Sequence, residues 1–117
     1  MPSTTNYNFG DVVLVAFPFT NLLVTKKRPA VVISNQAYQL ARPDVILMAI
    51  TSQIRNTLSV GECVLQDWQQ AGLLKPSILK PLITTLEQNQ IVKTMGQLSN
   101  TDSESLSGVI QTVLGNK

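Results

Sequence analysis

Any chemistry in this chain has to be done without histidine. None of its 117 residues is a histidine, one is a cysteine, and seven are Asp or Glu. The side chain best suited to moving protons near neutral pH is therefore missing, and Ser-His-Asp and Cys-His hydrolase sets are excluded with it. One cysteine and few carboxylates do not make the usual zinc or iron ligand sets either, so no metal and no cofactor is expected. Catalysis is left to Arg, Lys, Thr, Ser, Tyr or an isolated carboxylate. The densest cationic group is Lys26-Lys27-Arg28, with Arg55, Lys75, Lys80 and Lys93 scattered after it. A net charge of +2 does not by itself mark a nucleic-acid surface, because strong binders carry a clustered basic stripe. A solvated surface is the plainer reading of these charges.

The elements that must position such residues are short and β-rich. Residues 12–17 form an unbroken apolar run after a Gly10-Asp11 turn signal, with the β-branched content of a buried strand. Pro18 ends it, and residues 19–27 read as a loop. Pro29 opens a second run, at residues 30–34, in the first-residue position where a strand tolerates a missing N–H. Residues 35–43 read as a polar connection and 45–51 as a third strand. A short strand at 62–65, one or two helical turns at 66–71 stopped by Gly72, and a strand at 77–85 bent or bulged at Pro81 follow. A single helical turn at 87–90 leads to a last strand at 91–98.

The C-terminal segment carries the clearest helical pattern. Ser99 is a candidate N-cap with Asp102 three residues on, a capping-box-like start. Leu106, Val109, Ile110, Val113 and Leu114 make one apolar stripe, read as core packing, and Gly115 suits a left-handed C-cap. Short strands followed by one helix indicate a small β-barrel closed by a helix, all-β to α+β in class. Length and apolar content (44%) suit one domain, taken as residues 10–117 behind an N-terminal extension at 1–9. The lone Cys63 makes no internal disulfide and reads as a small buried hydrophobe. No apolar run approaches the roughly 20 residues of a membrane span, so a cytoplasmic, membrane-free protein is expected. Trp68 reads as packing on the barrel and Phe17 as core.

Three segments together resemble the MazF/PemK family of toxins. Gly10-Asp11-Val12-Val13-Leu14-Val15 followed by Phe17-Pro18-Phe19-Thr20 is similar to the family's opening strand and loop. Lys27-Arg28-Pro29-Ala30-Val31-Val32-Ile33-Ser34 is close to its RPA-VV signature. Residues 43–47, with Ala49-Ile50-Thr51-Ser52-Gln53-Ile54, are similar to its third strand. The segments around Trp68, Lys75 and Gly96-Gln97-Leu98-Ser99 are compatible with the PemK-type branch, so the resemblance covers residues 10–115. It implies an SH3-like barrel of the MazF/PemK/CcdB type with a C-terminal helix packed on it, usually a homodimer. It also implies metal-independent cleavage of single-stranded RNA, often messenger RNA, inhibition by a cognate antitoxin, and operator DNA binding as the toxin–antitoxin complex.

The resemblance assigns catalysis to Arg28 and Thr51. In metal-free cleavage the RNA's own 2′-OH attacks the adjacent phosphorus, so the protein must hold the chain in line, offset charge on the phosphoryl oxygens and manage two protons. Arg28 offers a planar donor fork for phosphate; leaving-group protonation is a further role left open. Thr51 would hydrogen-bond the scissile phosphate or the 2′-OH. Phe19, Thr20, Lys26 and Lys27 in the loop, and Ser52, Gln53 and Arg55 after the third strand, are the substrate-binding candidates. Where some family members carry an acidic or amide pair, this chain reads Lys80-Pro81-Leu82, and members with a catalytic histidine exist too. The general base is thus unassigned. The alternative reading is a catalytically weak or inactive module that binds antitoxin and helps repress its operon. An unrelated SH3-like or OB-like RNA-binding domain would need more exposed aromatics and more positive charge.

Overall fold

The computed structural model describes residues 7–17 and 26–115. Phe19 and Thr20 lie outside the described residues, as do the side chains of Phe17 and Lys26. Six strands, β1 (Asp11–Phe17), β2 (Lys26–Val32), β3 (Asp44–Thr51), β4 (Cys63–Val64), β5 (Ile78–Glu87) and β6 (Ile91–Gln97), form one antiparallel sheet in the order β4-β5-β3-β2-β1-β6. A six-residue helix, α1 (Gln36–Ala41), sits between β2 and β3, and α2 (Asn100–Leu114) ends the described chain.

β1 from Val12, β2 from Ala30 and β3 from Val45 run apolar because both faces of the sheet are covered there. Val12, Val31, Met48 and Ile50 point to one core, filled from outside the sheet by Leu65, Leu73, Leu98, Leu106 and Val109. Val13, Val15, Ala30, Val32, Val45 and Leu47 point to a second core shared with Tyr7. Alternation along each strand thus feeds two cores in turn. A one-residue slip would exchange the two sets, so the register is strongly specified.

The sheet is curled rather than closed into a barrel. β5 lies beside β3 and β6 beside β1, yet a 3-10 turn at Gln88–Gln90 joins them directly. The chain therefore draws the two sides of the sheet together, and Leu86 of β5 and Ile91 of β6 both pack on the second core. The strands at the ends of the order, β4 and β6, are not neighbours in the hydrogen-bonded sheet. The expected small SH3-like β-barrel with a C-terminal helix is thus met as a six-stranded antiparallel sheet with that helix, curled but not closed into a barrel.

Local differences from expectation have physical causes. Residues 35–43 hold a helix rather than a plain connection: Asn35 Oδ1 accepts from the Tyr38 amide at 2.9 Å, an N-cap on a helix too short to show periodicity. β2 begins at Lys26, so Lys26 and Lys27 belong to a strand and not to the loop, and Pro29 is interior to it. Proline is tolerated there because the paired register with β3 runs only over Ala30–Val32, which leaves β2 an edge at Pro29 on that side. Pro81 does mark a bulge: Met48 pairs with Ile83 but Ala49 with Lys80, so Pro81 and Leu82 are the extra residues. The turn after β4 ends in a Schellman motif, with Leu73 N bonded to Trp68 O and Gly72 N to Gln69 O, and Gly72 at φ +83°.

Two devices lock this turn onto the sheet. Asp102, fully buried, accepts from the Gln66 and Asp67 amides, both at 2.8 Å. Ser99 caps α2 as expected by accepting from the Asp102 amide at 3.2 Å. The Asp102 carboxylate, however, serves the neighbouring turn and not a capping box. At the other end the Ala71-Gly72 backbone lies directly on Met95-Gly96: a Cβ on Gly96 would sit 2.7 Å from the Ala71 carbonyl, and one on Gly72 would overlap the Met95 carbonyl oxygen. Trp68 and Cys63 pack partly buried against the first core. The apolar stripe of α2 is core at Leu106 and Val109, but it runs out of the core at Leu114, which is exposed. Gly115 has φ +86° and ψ 153°, a glycine conformation outside the left-handed helical well.

Urea unfolding should report both devices. Asp102→Ala leaves two buried amides without their charged acceptor and is expected to cost about 3 kcal/mol, against about 1 kcal/mol for removing the cap with Ser99→Ala. Gly96→Ala forces two backbones apart and is expected to cost about 2 kcal/mol.

Candidate active site

The β2–β3 register pairs Ala30 with Ala49. The pairing ends there, but by alternation Arg28, near the start of β2, and Thr51, the last residue of β3, fall on the same face, and both line the same recesses. Each is only partly buried. Thr51 Oγ1 accepts from the Gln53 amide at 3.1 Å. With one lone pair so engaged, its hydroxyl hydrogen is directed away from that amide and can donate to an acceptor outside. Arg28 and Thr51 thus offer a charged donor fork and a neutral donor at one edge of the molecule. Such a pair recognises an anion with several acceptor oxygens.

A recess opens on either side of the pair, and both recesses include Arg28, Pro29, Ile50, Thr51 and Gln53. The smaller, about 240 Å³, adds Ala49, Lys80 and Leu82. The larger, about 480 Å³, adds Leu14, Lys27, Ser52, Leu73, Leu74, Lys75, Ser77 and Met95. Alternation along the strands explains the division. Leu14, Pro29 and Ile50 belong to the same row as Val12, Val31 and Met48 and face the first core, whereas Arg28, Ala49 and Thr51 share the face of Ala30 and the second core. The site sits where the sheet ends and its two faces become reachable together.

Of the residues anticipated from sequence, Arg28, Thr51, Lys27, Ser52 and Gln53 are gathered here. Arg55 is not; its guanidinium is bonded to Glu62 at 3.0 Å. Lys80 comes to the site through the bulge at Pro81-Leu82, which aligns it with Ala49. Sequence reasoning marked Lys80 only as a departure from the family pattern, not as a binding candidate, and did not name the wall formed by Leu73, Leu74, Lys75 and Met95. The visible signals were Gly72 and Gly96, whose missing side chains allow that wall to form, but nothing in the sequence says that they meet.

The segment after Thr51 is held by Glu62. Its side chain is 5% exposed; Oε1 accepts from the Ser59 amide at 2.7 Å and Oε2 from Arg55 at 3.0 Å. Those contacts, the Ser59 amide first and the charge of Arg55 after it, lower the carboxyl below its ordinary value of 4.5. Glu62 thereby ties the exposed connection that carries Gln53 back to the root of β4. Among the described residues, no three His, Cys, Asp or Glu side chains are gathered where they could hold a metal ion. Among the described residues too, no helix is long and apolar enough to cross a membrane.

An antiparallel sheet with a C-terminal helix is the fold of known toxin structures. An endoribonuclease in complex with its cognate antitoxin from a Mycobacterial species superposes with a TM-score of 0.76 at 16% identity, over 94% of this chain and 96% of that one. MazE-MazF from Deinococcus radiodurans gives 0.75 at 17% identity, over 97% and 100%. The Mycobacterium tuberculosis toxin MazF-mt6 gives 0.71 at 15% identity, over 92% and 99%. Among curated proteins no sequence match is found. The family model of the PemK-like, MazF-like toxin of type II toxin-antitoxin systems matches residues 8–114, and the chain belongs to that family.

Glu62 contributes stability in its ionised form. That contribution is complete above pH 4.5 and is lost as the pH falls through the lowered value. The Ser59 amide resonance should titrate with a midpoint below 4.5 in the native protein, and this titration should vanish in Glu62→Gln. A midpoint at or above 4.5 would show that the carboxylate is not held by this turn.

Proposed function

We propose that the protein is a metal-independent endoribonuclease toxin that cuts single-stranded RNA, messenger RNA included, by attack of a 2′-OH on the adjacent phosphorus. The observation that carries this reading is that Arg28 and Thr51, just past the end of the β2–β3 ladder, line the same two recesses. The scissile phosphate sits against the pair. Arg28 offsets the charge that grows on the phosphoryl oxygens as the fifth bond to phosphorus forms. Thr51, fixed by the Gln53 amide, donates a hydrogen bond to a phosphoryl oxygen or holds the 2′-OH in line. Relatives of the same fold are described as endoribonucleases and are found with a cognate antitoxin. The same groove is accordingly where we place antitoxin inhibition. A homodimer, operator DNA binding as the toxin–antitoxin complex, and action in the cytoplasm belong to the same proposal.

One observation favours a second reading. Among the described residues no carboxylate lines either recess and the chain has no histidine, so these residues offer no dedicated proton acceptor. A binding module that engages antitoxin and represses its operon would need none. The ribonuclease reading accommodates the same fact if solvent takes the 2′-OH proton and the protein contributes alignment and charge, with a slow turnover as the result.

The two readings separate on long single-stranded RNA in EDTA. The native protein is expected to cut it, with Arg28→Ala lowering kcat/KM about 10²- to 10³-fold and Arg28→Lys recovering little, because an ammonium lacks the planar fork. Thr51→Ala should cost about tenfold to a hundredfold, one to two steps of 1.4 kcal/mol. RNA left intact over hours beside tight antitoxin binding would establish the binding module. Equal cutting by native and variant proteins would remove Arg28 and Thr51 from the site.

A further inference from the structure

The two recesses differ in chemistry as well as in size. The larger continues the first core outward: Leu14, Ile50, Leu73 and Met95 supply apolar walls, and Leu74, 90% exposed, stands at its rim. Lys27, Ser52, Gln53, Lys75 and Ser77 add polar groups to these walls, beside the shared Arg28 and Thr51. Apolar walls carrying convergent polar groups are the usual make-up of a small-molecule site, and about 480 Å³ lies within the common range. Beyond the shared Arg28, the smaller recess adds one cation, Lys80, and short walls at Ala49 and Leu82. It offers little surface to a ring and one further charge to a phosphate.

A strand of RNA lying across Arg28 and Thr51 leaves the pair in two directions, one toward each recess. Unstacked bases are bound on apolar and aromatic surfaces and read at their edges by polar groups. Phosphate contacts position a chain without reading it. We infer that the larger recess is a base-reading subsite for the nucleotide on one side of the cut, with Leu74 and Lys75 among its determinants of sequence preference. The smaller recess binds backbone through Lys80, contributing affinity and no preference. This assignment rests on the RNA reading above.

The segment that bears Leu74 and Lys75 is rigidly placed for such a role. It follows the Schellman turn, whose backbone is pressed on Met95-Gly96. It is also pinned from beyond by Ser77 Oγ, which donates to the Lys75 carbonyl at 2.9 Å. A rim held at both ends keeps its shape when a base arrives, and a preformed shape is what discriminates between bases.

The test is enrichment from a random pool of 2′-O-methyl oligonucleotides, which bind without being cut, using native protein, Leu74→Ser, Lys75→Gln and Lys80→Gln. Leu74 and Lys75 are exposed, so their replacement leaves the cores intact. Native protein is expected to enrich a defined base at one position. Leu74→Ser and Lys75→Gln should change or flatten that preference. Lys80→Gln should keep it, while the slope of log affinity against log salt falls by about 0.7, one lost phosphate contact on a single strand. The same preference after Leu74→Ser and Lys75→Gln, a preference altered by Lys80→Gln, or no enrichment by native protein would each overturn the assignment. Cutting of ordinary RNA is scored separately. Native protein that enriches as expected but never cuts defeats the ribonuclease reading while the recess assignment stands.

Discussion

The ladder in which Ala30, Val31 and Val32 pair with Ala49, Met48 and Leu47 decides where Arg28 meets Thr51. It is short, but it lies between two cores, so its register cannot drift. A slip by one residue would turn Val31 and Met48 out of the first core and Ala30 and Leu47 out of the second. Burial of large apolar side chains, each contributing on the order of 2 kcal/mol, therefore holds a polar pair that contributes little to stability itself. The site lies just past the end of this ladder, where β2 is paired only with β1 and where proline can occupy position 29.

The surroundings of the pair are assembled from distant parts of the chain by backbone contact. Gly72 and Gly96 allow two main chains to touch, and Asp102 anchors the far end of the same turn. The bulge at Pro81-Leu82 brings Lys80 into line with Ala49, while Glu62 ties down the connection that follows Thr51. Apart from Leu82, which lines the smaller recess, the residues of these devices lie outside the two recesses. Each fixes the direction of a segment that does line them, so the groove's shape depends on residues beyond its walls.

Much of this was legible in the sequence, and what was not shares a cause. The strands at β1 and β3, the bulge at Pro81 and the helix from Ser99 all announce themselves through apolar runs, proline and capping chemistry, which are local. The motifs around Arg28 and Thr51 were legible through family resemblance. The helix at Gln36–Ala41 escaped because it has less than two turns and a single buried residue, Gln39. Lys80 and the Leu73–Lys75 wall escaped because their relevance arises from contacts between segments far apart in the chain. Arg55 was legible as a cation, but its partner Glu62, seven residues on, claims it first. That the sheet curls through the Gln88–Gln90 turn and is not closed into a barrel by strand pairing also depends on long-range geometry that no local pattern encodes.

The chemistry proposed for this groove is one of alignment and charge rather than proton relay. In that proposal Arg28 and Thr51 supply donors at a fixed edge and the RNA supplies its own nucleophile, and among the described residues no carboxylate lines the recesses to act as a base. The chemical nature of the cut ends tests this most directly. RNA digested by the native protein in EDTA, with its termini identified by mass spectrometry, should carry 2′,3′-cyclic phosphates and 5′-hydroxyls, the products of 2′-OH attack. Termini bearing 3′-hydroxyls and 5′-phosphates would require water as the nucleophile and would contradict the role given to the Arg28–Thr51 pair.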